Sequence, residues 1–273
     1  MGERSHRTLV RIVFIGAGNV ASHLAPAMEA CGVGRVCQVY SRSESSAVAL
    51  CDRLAEATAI TDASRIITDA DIYVVSLVDH AVGEVLAAVK DAVERCGIRN
   101  DALWLHTSGS LPMETLAGMS ERYGVFYPLQ TFSKRVAVDM AQVPIFIEGS
   151  SPETTASIKA MAEAMSRSVH YADGDLRRRM HIAAVFACNF TNYMFTVADD
   201  LLKADGLSLE VLYPLIRETM RKAMEGSPVV GQTGPAVRGD RQVVERHASM
   251  LPDGLADIYR QLSDAIYKRS LQV

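Results

Sequence analysis

The chain has 273 residues, enough for one large domain or two smaller ones, and 49% of them are hydrophobic, enough for a sizeable core. A formal net charge of −4 argues against nucleic acid or an anionic membrane surface as partner. No apolar run approaches the ~18 residues that span a bilayer, and Met1 to Arg7 is polar and basic with no signal-type apolar region behind it.

The first element, Arg11 to Ile15, is β-branched and aromatic, as a buried parallel strand should be. It runs into Gly16-Ala17-Gly18-Asn19-Val20-Ala21 and then the helical pattern Val20-x-x-x-Leu24-x-x-x-Met28. A lone Gly-x-Gly-x-x-Ala is weak evidence, but strand before and helix after are the context that gives it meaning. Gly16 serves the tight turn, Gly18 admits a pyrophosphate against the backbone, and Ala21 allows close helix–strand packing. Further strands are expected at 36–40, 58–60, 72–77, 103–106, 124–127, 144–147 and 168–171. Helices are expected at 45–54, 80–95, 111–121 and 152–165. This alternation predicts a doubly wound, mostly parallel Rossmann sheet over 1–172. From Asp173 onward the patterns at 175–204, 209–224, 241–250 and 255–269 are all helical, which predicts an all-α C-terminal domain over 173–273. Five scattered cysteines (Cys31, Cys37, Cys51, Cys96, Cys188) form no Cys-x-x-Cys pair, so reduced thiols in a cytoplasmic protein are expected.

A dinucleotide site follows from the first crossover. An NAD site usually places an acid after the second strand to hold the ribose 2′-hydroxyl. Here that strand ends Tyr40-Ser41-Arg42-Ser43, with no acid until Glu44. Arg42 can pair with a 2′-phosphate, with Ser41 and Ser43 donating beside it, so NADP(H) is favoured. The same three residues can also form a polar turn that caps the next helix. Leu77, Val78 and Asp79 at the end of the fourth strand are expected to border the ribose, with an N-cap role as the alternative for Asp79.

His106-Thr107-Ser108-Gly109-Ser110 ends the fifth strand, near the expected nicotinamide position. Thr107 is placed on the coenzyme. His106 is a candidate acid–base and Ser108 a candidate substrate donor, against a structural histidine in a tight turn. Tyr127 and Gln130, in Tyr127-Pro128-Leu129-Gln130-Thr131-Phe132, are candidate walls of a substrate pocket. On the helix from Asp175, His181, Cys188, Asn192 and Asp199 recur at near-integral turns, with Asn189 beside them. His181 and Asn189 are read as catalytic candidates and Asn192 as substrate-binding. Arg177-Arg178-Arg179 is read as a solvated helix start. The loop Gly231 to Asp240 carries Arg238, which can hold a substrate carboxylate or pair with Asp240. His247 is read as surface or interface. No metal site is expected.

Gly16 to Ala21, His106 to Ser110, Pro128 to Phe132, the His181 to Tyr193 helix and Thr233 to Asp240 together resemble a bacterial family. It joins a Rossmann-like NADP oxidoreductase domain to an all-helical C-terminal domain of undefined function. The wider group includes pyrroline-5-carboxylate reductases, 3-hydroxyacid dehydrogenases, ketopantoate reductases and deazaflavin-dependent NADP reductases. The resemblance implies NADP(H) binding, a homodimer through the helical domain and a site between domains. In related hydroxyacid dehydrogenases a lysine precedes the helix asparagine by one turn, but that position is Val185 here. The family's usual histidine before Pro-Leu-Gln is Tyr127. The function expected is hydride transfer between NADP(H) and a small C=O or C=N substrate. The alternatives are a non-catalytic NADP(H) sensor and a deazaflavin-dependent NADP reductase.

Overall fold

Alternate residues of each central strand go to opposite faces, and both faces are covered. Ile12 and Phe14 join one buried cluster with Leu24, Met28, Ile145 and Ile158, while Val13 and Ile15 join a second with Tyr73, Val85, Val89 and Trp104. The computed structural model describes residues 9–96 and 101–272. Met1–Arg7 lies outside the described residues, as does the side chain of Cys96. Among the described residues, Cys31, Cys37, Cys51 and Cys188 are free thiols.

The strands are β1 (Arg11–Ile15), β2 (Arg35–Tyr40), β3 (Thr58–Ile60), β4 (Ile72–Val75), β5 (Leu103–His106), β6 (Arg122–Pro128), β7 (Ile145–Gly149) and β8 (Val169–Tyr171). They form an 8-stranded sheet ordered β3-β2-β1-β4-β5-β6-β7-β8. All pairings are parallel except β6 with β7. The chain leaves β1 for β2 on one side and returns to β4 on the other, which makes the carboxyl edge beside β1 the topological switch point. The turns after β1, β2, β4, β5 and β6 therefore share that edge. The helices of this part are α1 (Asn19–Ala30), α2 (Glu44–Cys51), α3 (Asp79–Cys96), α4 (Pro152–Met165) and α5 (Gly174–Ala184). Ser151 caps α4 by accepting from the Thr154 N–H, with Pro152 in the first turn.

After Tyr171 every element among the described residues is helical, and α5 is followed by α6 (Thr191–Lys203), α7 (Tyr213–Glu225), α8 (Arg241–Ala248) and α9 (Asp253–Ser270). The compact units divide at 1–191 and 192–273, within this helical region rather than at its start. No helix among the described residues is long and apolar enough to cross a membrane.

Two expectations about local structure are corrected. The helix expected at 111–121 is only a 3₁₀ turn at Met113–Leu116. Gly118 weakens helix there, and the chain must turn back at Ser120, whose hydroxyl donates to the Ala102 carbonyl, to enter β6. Between α5 and α6 the helix widens into a π turn, Val185–Phe190. A π turn holds an extra residue, so a 3.6-residue period does not continue through it. The stripe drawn from His181 to Asn192 and Asp199 is therefore interrupted. Asn192 is exposed, and Asp199 pairs with Lys203 at 2.6 Å.

Candidate functional site

The turn after β1 is shaped by the exclusion of side chains. Gly16 has φ of +120°, and a Cβ there would stand 2.1 Å from the Ser76 carbonyl oxygen, so only glycine fits. Gly18 is the N-cap of α1, with no side-chain cap and no acidic residue in the first turn. The nearest atom to a Cβ on Gly18 would be 4.0 Å away, so its missing side chain leaves open space. The first-turn amides at Asn19, Val20 and Ala21 thus face outward with the positive helix end unneutralised. Ala17 is buried, while Asn19 is exposed.

Beyond β2, both readings of Ser41-Arg42-Ser43 hold. Ser43 caps α2 by accepting from the Ser46 N–H at 3.3 Å, and Ser41 accepts from the Ser43 N–H at 3.3 Å. Arg42 is exposed and makes no ion pair among the described residues. At the end of β4, Leu77 packs against Gly16, Val78 is 58% exposed, and Asp79 is exposed in the first turn of α3. Thr107 is buried and donates to the Ser76 hydroxyl at 3.3 Å.

Beyond β5 the turn is tightly organised. His106 is 1% exposed, and its Nδ1 accepts from the Ser108 N–H at 3.2 Å. Burial, reinforced by the Arg177 charge, pushes its pKa from 6.5 down to about 4, so the ring is neutral. Ser108 Oγ accepts from the N–H groups of Ser110 and Leu111 at 3.0 and 3.1 Å, which leaves its own proton free to donate. A Cβ on Gly109 would stand 2.8 Å from Tyr127 Cζ and 2.9 Å from His181 Nδ1. The loop backbone therefore packs directly on those two side chains.

Tyr127 and His181 meet at one cleft. The Tyr127 hydroxyl lies 3.0 Å from His181 Nδ1. Tyr127 is 8% exposed, and burial raises its pKa against the opposing pull of Arg177. Both side chains line a cleft of about 470 Å³ with Gln130, Thr131, Cys188 and Asn189 as polar members. Leu129, Met180, Ala183, Ala184, Val185 and Ala187 make the rest of the wall. Asn189 is exposed on the π turn, and Gln130 Oε1 accepts from the Thr131 N–H at 2.8 Å.

Arg177 corrects the reading of a solvated arginine run. Arg178 and Arg179 are exposed, but Arg177 is fully buried. Its Nη1 donates to Glu148 Oε2 at 2.6 Å and its Nη2 to the Leu111 carbonyl at 2.7 Å. The signal available in sequence was spacing: Arg177 stands one turn before His181, on the same helix face.

In the second unit, Gly234 and Gly239 have φ of +112° and +68°, as a shaped loop requires. Asp240 caps α8 by accepting from the Val243 N–H at 3.2 Å, and no ion pair joins it to Arg238. Arg238 is exposed. His247 is exposed with Nδ1 2.8 Å from the Tyr259 hydroxyl.

Residues 11–96 match the family described as NADP oxidoreductase, coenzyme F420-dependent, and residues 143–266 match a domain of unknown function, DUF2520. A protein named as a candidate NADP oxidoreductase from Bacteroides fragilis is 46% identical, with 95% of this chain and 98% of that one covered and a TM-score of 0.88. The chain belongs to this NADP oxidoreductase family. An imine reductase from Streptomyces aurantiacus (17% identity, 96% and 98% covered, TM-score 0.63) shares the fold. So does a Plasmodium falciparum pyrroline carboxylate reductase with NADP bound (12% identity, 94% and 98% covered, TM-score 0.55). No curated protein matches the chain. The coenzyme of this NADP oxidoreductase family is NADP(H), and the Gly16–Gly18 cradle, bare α1 terminus and free Arg42 fit it.

Proposed function

We propose that this oxidoreductase uses NADPH to reduce a small C=O or C=N substrate held in the cleft beside Tyr127 and His181. The observation that carries the reading is the 3.0 Å contact between the Tyr127 hydroxyl and His181 Nδ1, in a cleft with an otherwise largely apolar wall. Gly16 to Val20 would hold the pyrophosphate, Leu77, Val78, Asp79 and Thr107 the ribose and nicotinamide side, and Ser41, Arg42 and Ser43 the 2′-phosphate. When bound, the coenzyme supplies the hydride.

The chain's own groups manage the proton. Burial keeps the Tyr127 phenol protonated at neutral pH, so it can donate to the oxygen or nitrogen that gains negative charge. His181 is only half-buried and can return a proton from solvent to the Tyr127 oxygen. Tyr127 thereby takes the place of the helix lysine, whose position is Val185. Ser108 and Asn189 orient the substrate, with Gln130 beside them. His106 is buried with Nδ1 committed to Ser108, so its role is to hold the loop rather than exchange protons with substrate.

The test is a panel of carbonyls, imines and an oxidised deazaflavin, followed at the NADPH absorbance band. Tyr127→Phe and His181→Ala should each lower turnover by ~10²-fold or more while leaving NADPH affinity intact. Stoichiometric NADPH binding with no oxidation across the whole panel would instead identify a sensor. In the second unit Leu215, Met224, Met250 and Leu262 are exposed apolar side chains, which supports a homodimer through this unit; a cytoplasmic location belongs to the same proposal. Sedimentation at a monomer mass would remove the dimer.

A further inference from the structure

Arg177 on α5 bonds to two other stretches of chain, β7 and the loop after β5. Its guanidinium is fully buried. One fork arm reaches Glu148 on β7 at 2.6 Å, with the Ala172 carbonyl 3.4 Å away, and the other reaches the Leu111 carbonyl at 2.7 Å. Leu111 in turn donates to Ser108 Oγ at 3.1 Å, and Ser108 donates to His106. The loop so tied is the one whose Gly109 packs on Tyr127 and His181.

We propose that Arg177 is a positioning residue for the reduction: from one turn before His181 it clamps the 106–111 loop and β7 onto α5 and so sets the Tyr127–His181 geometry. The inference rests on the reading of that pair as the proton-transfer group. Stability alone does not explain the residue. A buried ion pair is often no better than apolar side chains of similar volume, and here the Nε hydrogen has no partner. What apolar packing cannot supply is a planar fork that grips a carboxylate and a carbonyl at once. Nor can it supply a fixed positive charge beside the pair. The other titratable groups around that pair are Arg177 on α5, His106 on β5, Glu148 on β7 and Cys188 on the π turn. The Arg177 charge opposes the effect of burial at Tyr127 and adds to it at His106.

The experiment uses the full chain labelled with 3-fluorotyrosine, whose phenol ionises at lower pH than tyrosine. The Tyr127 fluorine resonance is assigned by its loss in Tyr127→Phe. Two variants are compared: Arg177→Lys, and Arg177→Met with Glu148→Gln, the second change preventing a partly buried, unpaired carboxylate. In the double variant Tyr127 should ionise at higher pH than in the wild type, and kcat should fall by ~10-fold or more with KM and NADPH affinity little changed. Arg177→Lys should keep the fluorine titration close to wild type and recover part of kcat. An unchanged Tyr127 titration in the double variant overturns the proposal. So does a kcat loss equal in both variants and accounted for by the unfolded fraction. If wild-type protein reduces nothing in the panel, the functional reading fails, while the fluorine titration still decides whether Arg177 acts on Tyr127.

Discussion

Gly109 offers a direct test of how closely the β5 loop packs on Tyr127 and His181. Its φ is not in the left-handed region, so alanine meets no backbone penalty and its whole effect comes from one methyl group. That methyl would lie 2.8 Å from Tyr127 Cζ and 2.9 Å from both the Tyr127 oxygen and His181 Nδ1. Carbon contacts settle at about 3.5 Å or more, so the ring must retreat by roughly 0.7 Å. Tyr127 is 8% exposed and has little room to retreat. Overpacking of this kind costs about 1–3 kcal/mol of stability. Displacement approaching ~1 Å in a reacting group costs up to ~10²-fold in rate, so Gly109→Ala should lose roughly ten- to a hundredfold in kcat. Gly83→Ala is the control, because nothing lies within 4 Å of a Cβ there. On helix α3 it should gain up to about 1 kcal/mol and leave turnover alone. Urea unfolding and NADPH oxidation measure the two quantities. Wild-type turnover together with a wild-type urea midpoint in Gly109→Ala would refute the packing argument.

Arg42→Ala should weaken NADPH binding by about tenfold or more, one charge-assisted contact, and leave NADH binding unchanged. Nicotinamide fluorescence titrations with both coenzymes decide it, and equal losses for the two would remove Arg42 from the 2′-phosphate. His106 predicts a pH effect on stability. Burial holds it from 6.5 down to about 4, so across that interval the unfolded chain takes up a proton that the native one refuses. This contribution to stability is complete above 6.5 and is lost as pH falls toward 4, at up to about 1.4 kcal/mol per pH unit. Urea midpoints should therefore fall less steeply on acidification in His106→Gln than in wild type. Parallel curves would show that His106 titrates normally.

Local chemistry made much of this fold readable in one dimension. β-branched runs of four to six residues, glycines at a strand end and capping serines act on their immediate neighbours, so β1, α1, α2 and α4 lie where their residues dictate. The Gly16 turn and the Ser43 cap were legible for the same reason, since each answers to the segment that carries it. The helix expected at 111–121 failed because Leu103–His106 and Arg122–Pro128 had to pair, and that constraint lies outside the window. A repeat counted at 3.6 residues cannot reveal the extra residue of the Val185–Phe190 turn. Arg177 shows the limit most clearly. Beside Arg178 and Arg179 it has the same local chemistry, yet only the meeting of β7, the 106–111 loop and α5 takes it out of water and gives it Glu148. The pairing of Tyr127 with His181 likewise spans 54 positions. Propensity and periodicity are properties of neighbours along the chain, whereas burial, ion pairing and proton transfer depend on neighbours in space.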